Sequence, residues 1–244
     1  WSDATYPRLD YQITIHNLQS WHMESDFYHV SNQLKAGGWQ VDFVSDAIAQ
    51  ETTVVNGEIQ LGGVGYKTMV IPRLEYMPLA TLKKILSLAD EGATIVFQDM
   101  DMNVPGLHDH VHRSSLQRAL LDGLEFTETD RGAHAVAHTG EGRVLHVEDM
   151  PSAMQHLNIV RETVQEANLR FLRRRHVDGY IYFLVNHSDK PVRGTVDLKA
   201  NAHALVAMDP LTGNIGKARF QQDRDGISVR IALEPGQSVF LKTF

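Results

Sequence analysis

Hydrophobic and polar positions follow strand and helix patterns in turn through the first part of the chain. Apolar and polar residues alternate in Tyr11–Asn17 and again in Trp39–Ser45, which is the pattern of a half-buried strand. Trp21–Ala36, between them, has helical character and is followed by two glycines, a common helix stop. An Asn-Gly pair divides Thr52–Gly63 into two short β-like runs, so we expect a β-hairpin there.

A strand–helix–strand unit follows the hairpin. Lys67–Pro72 is a short apolar run, as a buried parallel strand should be, and Pro78 suits the first turn of the next helix. Gly92 is placed to stop that helix, and Ala93–Phe97 is the next buried strand. The helix has one apolar face at helical spacing, made of Leu79, Leu82, Ile85, Leu86 and Ala89.

Helix and strand patterns continue to alternate after this unit. We expect a helix at Ser114–Gly123 and weaker strands at Ala133–His138 and Arg143–Val147. Such alternation is typical of a parallel sheet with helices on both faces. The sequence therefore predicts an α/β domain in residues 25–150, preceded by a leading segment in residues 1–24.

The pattern changes near residue 168. Residues 151–168 are predicted as a connecting helix, and residues 169–244 as a small antiparallel β-sandwich, because short strands there are separated by turn-forming residues. The expected strands are Gly179–Asn186, Arg193–Ala200, His203–Pro210, Gly216–Gln222, Gly226–Leu233 and Gln237–Phe244.

Composition and charge exclude several classes of chemistry and partner. The net charge of −7 disfavours nucleic acid and anionic membranes as partners. The absence of cysteine excludes disulfides, thiolate metal sites and cysteine nucleophiles. No apolar run approaches the roughly 20 residues that a membrane span needs. One basic run, Arg170–His176, is interpreted as a solvated strand edge or helix end.

Polar residues follow both strands of the strand–helix–strand unit, where open parallel sheets bind ligands. Arg73, Glu75 and Tyr76 follow the first strand and are candidates for contacting a polar ligand. Asp99 and Asp101 follow the second strand. The alternative is a charged loop that only introduces a helix. Glu75 and Asp99 are also the best available pair of carboxylates for glycoside hydrolysis, but sequence alone cannot place them the roughly 5–10 Å apart that it requires.

A histidine-rich loop is the second candidate. His108, His110 and His112 could ligate a transition metal, because alternate positions on an extended segment share a face. The alternative is a polar loop that has collected histidines without binding metal. This loop keeps open the hypothesis of a small metal-dependent hydrolase.

Several longer stretches resemble glycoside hydrolase family 106, the α-L-rhamnosidase-type enzymes, in the region that follows the catalytic barrel. In the first half the resemblance rests on Ile13–Trp21, Phe27–Gln50 and Tyr66–Phe97. In the second half it rests on Asp178–Leu198, Ala204–Ala218 and Ile227–Phe244, which resemble the β domain that closes many large glycosidases.

The resemblance implies a scaffold without the family's catalytic centre. In that family an upstream (β/α) barrel supplies the catalytic glutamates and a calcium site, and none of these residues can be carried onto this sequence. We expect residues 1–24 to be the exit from that barrel, and no cofactor in the present segment. The α/β domain would then have a flavodoxin- or class I amidotransferase-like open sheet. A periplasmic or extracellular location is compatible with the resemblance.

Two hypotheses for function remain beside the metal-dependent hydrolase. The first is a non-catalytic C-terminal region of a rhamnosidase-type enzyme, which supports the barrel and contacts carbohydrate. The second is a stand-alone carbohydrate-binding or assembly module. The partners expected are the upstream barrel or other domains of the parent chain, and carbohydrate.

Overall fold

The computed structural model describes residues 22–128 and 134–244, which form two units. The first unit comprises the described residues up to Gln33 together with Asp42–Ile159, and the second comprises Leu34–Val41 and Val160–Phe244. The strand predicted at Tyr11–Asn17 lies outside the described residues. The domain limits predicted from sequence stay predictions.

The first unit contains the following elements, numbered in chain order. Its helices are α1 (Asp26–Ala36, which ends among residues of the second unit), α2 (Asp46–Ala49), α3 (Leu79–Asp90), α4 (His110–Asp122) and α5 (Met150–His156). Its strands are β1 (Thr53–Val55), β2 (Glu58–Leu61), β3 (Val64–Tyr66), β4 (Met69–Ile71), β5 (Thr94–Phe97), β6 (Thr127–Glu128), β7 (His134–Thr139) and β8 (Gly142–Val147).

The predicted hairpin is confirmed and belongs to a small antiparallel sheet, β1-β2-β3. Val55 pairs with Glu58, so the turn between β1 and β2 contains only Asn56 and Gly57. Both turn residues have positive φ, 53° and 77°, as a type I′ turn requires. Asn and Gly tolerate that backbone better than other residues do, which is why the pair was a dependable signal.

The second sheet of this unit is mixed, with strand order β4-β5-β8-β7-β6. β4 pairs with β5 and β5 with β8 in parallel, but β7 pairs antiparallel with both β8 and β6. The predicted flavodoxin- or class I amidotransferase-like open parallel sheet with helices on both faces is therefore wrong. The described residues are mostly β, in four sheets of three to five strands, with five α-helices.

The sheet is mixed because the connection between β7 and β8 is too short for parallel strands. Thr139 pairs directly with Gly142, which leaves two residues for the turn. Two residues can join antiparallel neighbours, whereas parallel neighbours need a crossover of a dozen residues or more. Residues 39–45 were also predicted as a strand, but the structure shows no strand there.

The core of the first unit forms where α3 packs against the parallel strands. The predicted apolar face of α3 is confirmed at Leu82, Ile85, Leu86 and Ala89, which are buried together with Ile95 and the rest of this cluster. Gly92 follows the helix with a φ of 114°, a backbone that favours glycine, so the predicted stop is also confirmed.

The second unit contains a short 3-10 helix and two antiparallel sheets. Where a single helix was expected in residues 151–168, α5 ends at His156 and the 3-10 helix occupies Val164–Ala167. The strands are β9 (Arg170–His176), β10 (Gly179–Val185), β11 (Val192–Leu198), β12 (Leu205–Met208), β13 (Ile215–Lys217), β14 (Phe220–Asp223), β15 (Gly226–Leu233) and β16 (Ser238–Thr243).

The two sheets of the second unit share one buried cluster. Their strand orders are β13-β12-β16-β10-β9 and β11-β15-β14. Tyr182, Leu184 and Leu241 from the first sheet are buried in the same cluster as Leu198 and Ile227 from the second. The sandwich arrangement itself stays a prediction. The basic run Arg170–His176 is confirmed as a strand edge, because β9 ends the larger sheet.

Candidate functional site

The structure brings together the polar residues that follow β4 and β5. Because these strands are parallel, their carboxyl ends lie at the same edge of the sheet. Arg73 Nε donates to Asp99 Oδ2 at 3.0 Å, and the Arg73 backbone N–H donates to Gln98 Oε1 at 3.1 Å. We call this group of Arg73, Glu75, Tyr76, Asp99 and Asp101 the polar edge.

Backbone hydrogen bonds hold the two loops of the polar edge side by side. The Asn103 N–H donates to the Glu75 carbonyl at 2.8 Å, and the Met77 N–H donates to the Asn103 carbonyl at 2.9 Å. Tyr76 and Asn103 form an isolated parallel bridge between these bonds. Buried Gln117, on α4, donates from Nε2 to the Met77 carbonyl at 3.2 Å. The loops thus have defined positions although they lie outside the strands.

Asp99 is held as an ionised hydrogen-bond acceptor. Its Oδ1 accepts from the Asp101 backbone N–H at 3.0 Å. That bond lowers the pKa of Asp99 most; partial burial opposes it, and the Met100 N–H and the Arg73 charge lower the pKa further. The net pKa lies below the ordinary value, so Asp99 is charged at neutral pH.

The other members of the polar edge are open to solvent or partly so. Glu75 and Asp101 are exposed, Tyr76 is half-buried, and the Arg73 side chain is 61% exposed. An ion pair as exposed as Arg73–Asp99 contributes about 0–1 kcal/mol to stability. What the pair does provide is a charged donor and a charged acceptor in fixed mutual orientation at the surface.

The histidine-rich loop has a different geometry from the one predicted. His108 precedes α4, while His110 and His112 lie in its first turn, and all three are exposed. Residues two apart in a helix project about 200° apart, so the extended segment on which the metal hypothesis depended is not present. Among residues 22–128 and 134–244, no three His, Asp or Glu side chains are grouped to hold a metal ion.

A buried carboxylate in the second unit was not singled out by the sequence. Glu162 is 1% exposed, yet three donors surround it. Arg173 Nη1 and the Tyr182 hydroxyl donate to Oε1 at 2.7 and 3.0 Å, and the Lys199 backbone N–H donates to Oε2 at 2.9 Å. Nothing in the sequence distinguishes Glu162 from the neighbouring Glu166, because the donors come from residues 11 to 37 positions away.

The electrostatics around Glu162 indicate a structural role. Burial raises the pKa of the Tyr182 hydroxyl, and the Glu162 charge raises it further, so Tyr182 stays protonated and donates. Burial is the largest single influence on the pKa of Arg173 and lowers it, but Glu162, Tyr182 and Tyr180 together outweigh burial, so the net pKa is raised. The carboxylate is therefore fully engaged by the protein's own donors.

Solved structures of several glycoside hydrolases contain this fold. A rhamnosidase from Novosphingobium sp. PP1Y is similar over 83% of this chain and 19% of its own, with 22% identity and a TM-score of 0.67. An α-L-fucosidase isoenzyme 2 from Paenibacillus thiaminolyticus gives a TM-score of 0.56 at 12% identity, over 91% of this chain and 46% of its own. A β-galactosidase from Bacillus circulans sp. alkalophilus gives a TM-score of 0.53 at 13% identity, over 90% of this chain and 37% of its own.

These similarities show that the fold of this chain also occurs within larger glycoside hydrolases. More specifically, the chain belongs to glycoside hydrolase family 106, described as alpha-L-rhamnosidase, whose family pattern matches residues 22–222. The resemblance drawn from the sequence is confirmed. The chain spans about a fifth of the length of the similar rhamnosidase. No curated protein matches it in sequence.

None of the helices in the described residues combines the length and apolar character needed to cross a bilayer.

Proposed function

We propose that this chain is a non-catalytic region of an α-L-rhamnosidase-type glycoside hydrolase, where it supports the catalytic barrel and contacts carbohydrate through the polar edge. The observation that carries the proposal is the family match over residues 22–222 in a chain that spans about a fifth of the similar rhamnosidase. Each of the four sheets in the described residues has three to five strands, whereas a (β/α) barrel has eight parallel strands.

The chemistry of the acidic residues supports a binding role over a catalytic one. Glycoside hydrolysis needs one carboxylic acid with a raised pKa, which protonates the leaving oxygen, and a second carboxylate nearby. The pKa of Asp99 is shifted in the opposite direction, mainly by the Asp101 N–H. An ionised carboxylate held beside a guanidinium instead offers sugar hydroxyls an acceptor and a donor.

Tyr76 and Glu75 extend the proposed carbohydrate contact. The half-buried ring of Tyr76 supplies an apolar surface with a polar tip, which suits the mixed faces of a sugar. Glu75 is exposed beside it and adds a second acceptor. The expected ligand is a neutral oligosaccharide containing rhamnose, bound weakly because the edge is open to water.

Sugar binding by the polar edge predicts a specific effect of Asp99→Ala. The substitution removes the ionised acceptor and frees Arg73, so we expect affinity for a rhamnose-containing oligosaccharide to fall about tenfold, the equivalent of one charged hydrogen bond. Chemical-shift titration by NMR gives both the dissociation constant and the residues that respond. Millimolar binding with shifts at Arg73 and Asp101 is the expected result for the unsubstituted chain.

A matched control is the exposed ion pair Arg193–Glu234 of the second unit. Glu234→Ala removes a similar carboxylate from a similar guanidinium and should leave sugar affinity unchanged. Equal affinity for Asp99→Ala and Glu234→Ala, or no sugar-dependent shifts at all, would count against carbohydrate contact. Micromolar binding by a monomer would instead favour the stand-alone module.

A further inference from the structure

The larger sheet of the second unit has an apolar row on the face opposite its core. Tyr182, Leu184 and Leu241 are buried in the core cluster. Because side chains alternate along a strand, Phe183 on β10 and Phe240 on β16 lie on the other face. Phe183 and Phe240 are paired across the strands, and their ring centroids are 4.8 Å apart.

The strand register extends this aromatic pair across all five strands of the sheet. Leu172 pairs with Phe183, Phe240 pairs with Met208, and Met208 pairs with Ile215. Four spacings of about 4.8 Å between neighbouring strands give the row a length of roughly 19 Å. We call the following residues the apolar row: Leu172, Phe183, Phe240, Met208 and Ile215.

The apolar row is accessible, most of all at its ends. Leu172 is 57% exposed and Ile215 is 71% exposed, while Phe183, Phe240 and Met208 are half-buried by their neighbours. Five large apolar residues in register on one sheet face differ from scattered surface leucines, which need no explanation. Contiguous exposed apolar surface is characteristic of a binding surface.

Basic residues border the apolar row on both sides. On one side of the row, Lys242 and Lys217 both pair with Val206. On the other side, Arg170 pairs with Val185. Arg174 is on the same side of the row as Lys242, because both residues pair with Ile181 of β10. None of the residues that these five strands place on this face is Asp or Glu, although the whole chain has a net charge of −7. This face therefore carries four basic side chains and no acidic one.

We propose that the apolar row and its basic border bind an amphipathic, acidic helix of another protein. A sheet face is commonly covered by a helix. At 1.5 Å per residue, a helix of about 13 residues spans the 19 Å row, and its flanking carboxylates would meet Arg170, Lys217 and Lys242. Two copies of this face would oppose like charges, so charge complementarity favours an acidic partner over self-association.

A synthetic helix provides a defined probe. The peptide has 18 residues, with Leu at i, i+3, i+4 and i+7 spacing, Glu beside the leucines and Ala elsewhere; a matched peptide has Lys in place of Glu. Fluorescence anisotropy with the 244-residue chain should show binding of the acidic peptide that is at least about tenfold tighter than binding of the basic one, and that weakens as salt is raised.

Substitutions within the chain locate the binding. Leu172→Glu and Ile215→Glu introduce a negative charge into the apolar row and should each weaken acidic-peptide binding about tenfold. Val177→Glu is the matched control, because Val177 is 94% exposed in the turn between β9 and β10, and it should leave binding unchanged. Circular dichroism checks that each variant is folded, and because all three positions are exposed, the fold is expected to survive.

Several outcomes would overturn the proposal. These are equal binding of the two peptides, no binding of either, or unchanged binding in Leu172→Glu and Ile215→Glu. Sedimentation that shows the chain self-associating, with Leu172→Glu abolishing the association, would assign the face to a second copy. Binding to phosphatidylserine vesicles without binding to the acidic peptide would assign it to a membrane surface.

Discussion

Replacing Glu162 with alanine is expected to lower the free energy of unfolding by about 3–5 kcal/mol. Glu162 is buried and accepts three hydrogen bonds, from Arg173, Tyr182 and the Lys199 N–H. Without the carboxylate, the Arg173 guanidinium, which is 27% exposed, and the buried Tyr182 hydroxyl lose their acceptor. The Lys199 backbone N–H also loses its acceptor. Removing one partner of a buried hydrogen-bond network lowers stability by more than the network contributes in total, because the remaining polar groups stay buried without a partner.

A nearby glutamate is the matched control for this experiment. Glu166 pairs with Arg161 at 2.8 Å, but its side chain is 57% exposed. Glu166→Ala should change the free energy of unfolding by less than about 1 kcal/mol. Urea denaturation followed by circular dichroism measures both variants. A Glu162→Ala variant as stable as Glu166→Ala would contradict the role assigned to Glu162.

Gly142→Ala is expected to cost about 3 kcal/mol or more, at the upper end of overpacking effects. Gly142 begins β8, where the strand passes the end of α3 and the start of β5. An added Cβ would lie 2.3 Å from the carbonyl oxygens of both Ala89 and Ala93, and 2.7 Å from the carbonyl carbon of Gly92. All three are backbone atoms, so no flexible side chain can move away to relieve the contact.

The same substitution at another strand glycine separates crowding from other effects of alanine. Gly194, in β11, has no atom within 4 Å of an added Cβ. Gly194→Ala should therefore change stability by no more than about 0.5 kcal/mol. The melting temperature of each variant is a sufficient readout. Equal melting temperatures for Gly142→Ala and Gly194→Ala would contradict the close packing of β8 against α3 and β5.

The parts of the fold that were predictable depend on local chemistry. The turn at Asn56-Gly57 follows from the positive φ that these two residues tolerate. The buried face of α3 follows from helical spacing. The antiparallel direction of β7 and β8 could also have been inferred. The strands predicted at Ala133–His138 and Arg143–Val147 leave only four residues between them, too few for the crossover that parallel neighbours need, and the structure leaves only two.

The candidate sites divide along the same line. Arg73 and Asp99 were expected at one edge because parallel strands end together, and the structure places them 3.0 Å apart, although their binding role stays a prediction. Glu162 could not be found, since its donors are brought to it by long-range packing. The apolar row could not be identified from the sequence, because the register that aligns Phe183 with Phe240 is a property of the folded sheet.

The most direct test of the proposed function is hydrolysis of an aryl α-L-rhamnoside by the purified 244-residue chain. We expect no release of the aryl leaving group above the rate in buffer, because the Asp101 N–H holds the pKa of Asp99 below its ordinary value, so Asp99 is ionised and cannot act as a general acid. Circular dichroism on the same sample establishes that the chain is folded. Release of the leaving group that scales with chain concentration and is abolished by Asp99→Asn would contradict a non-catalytic role.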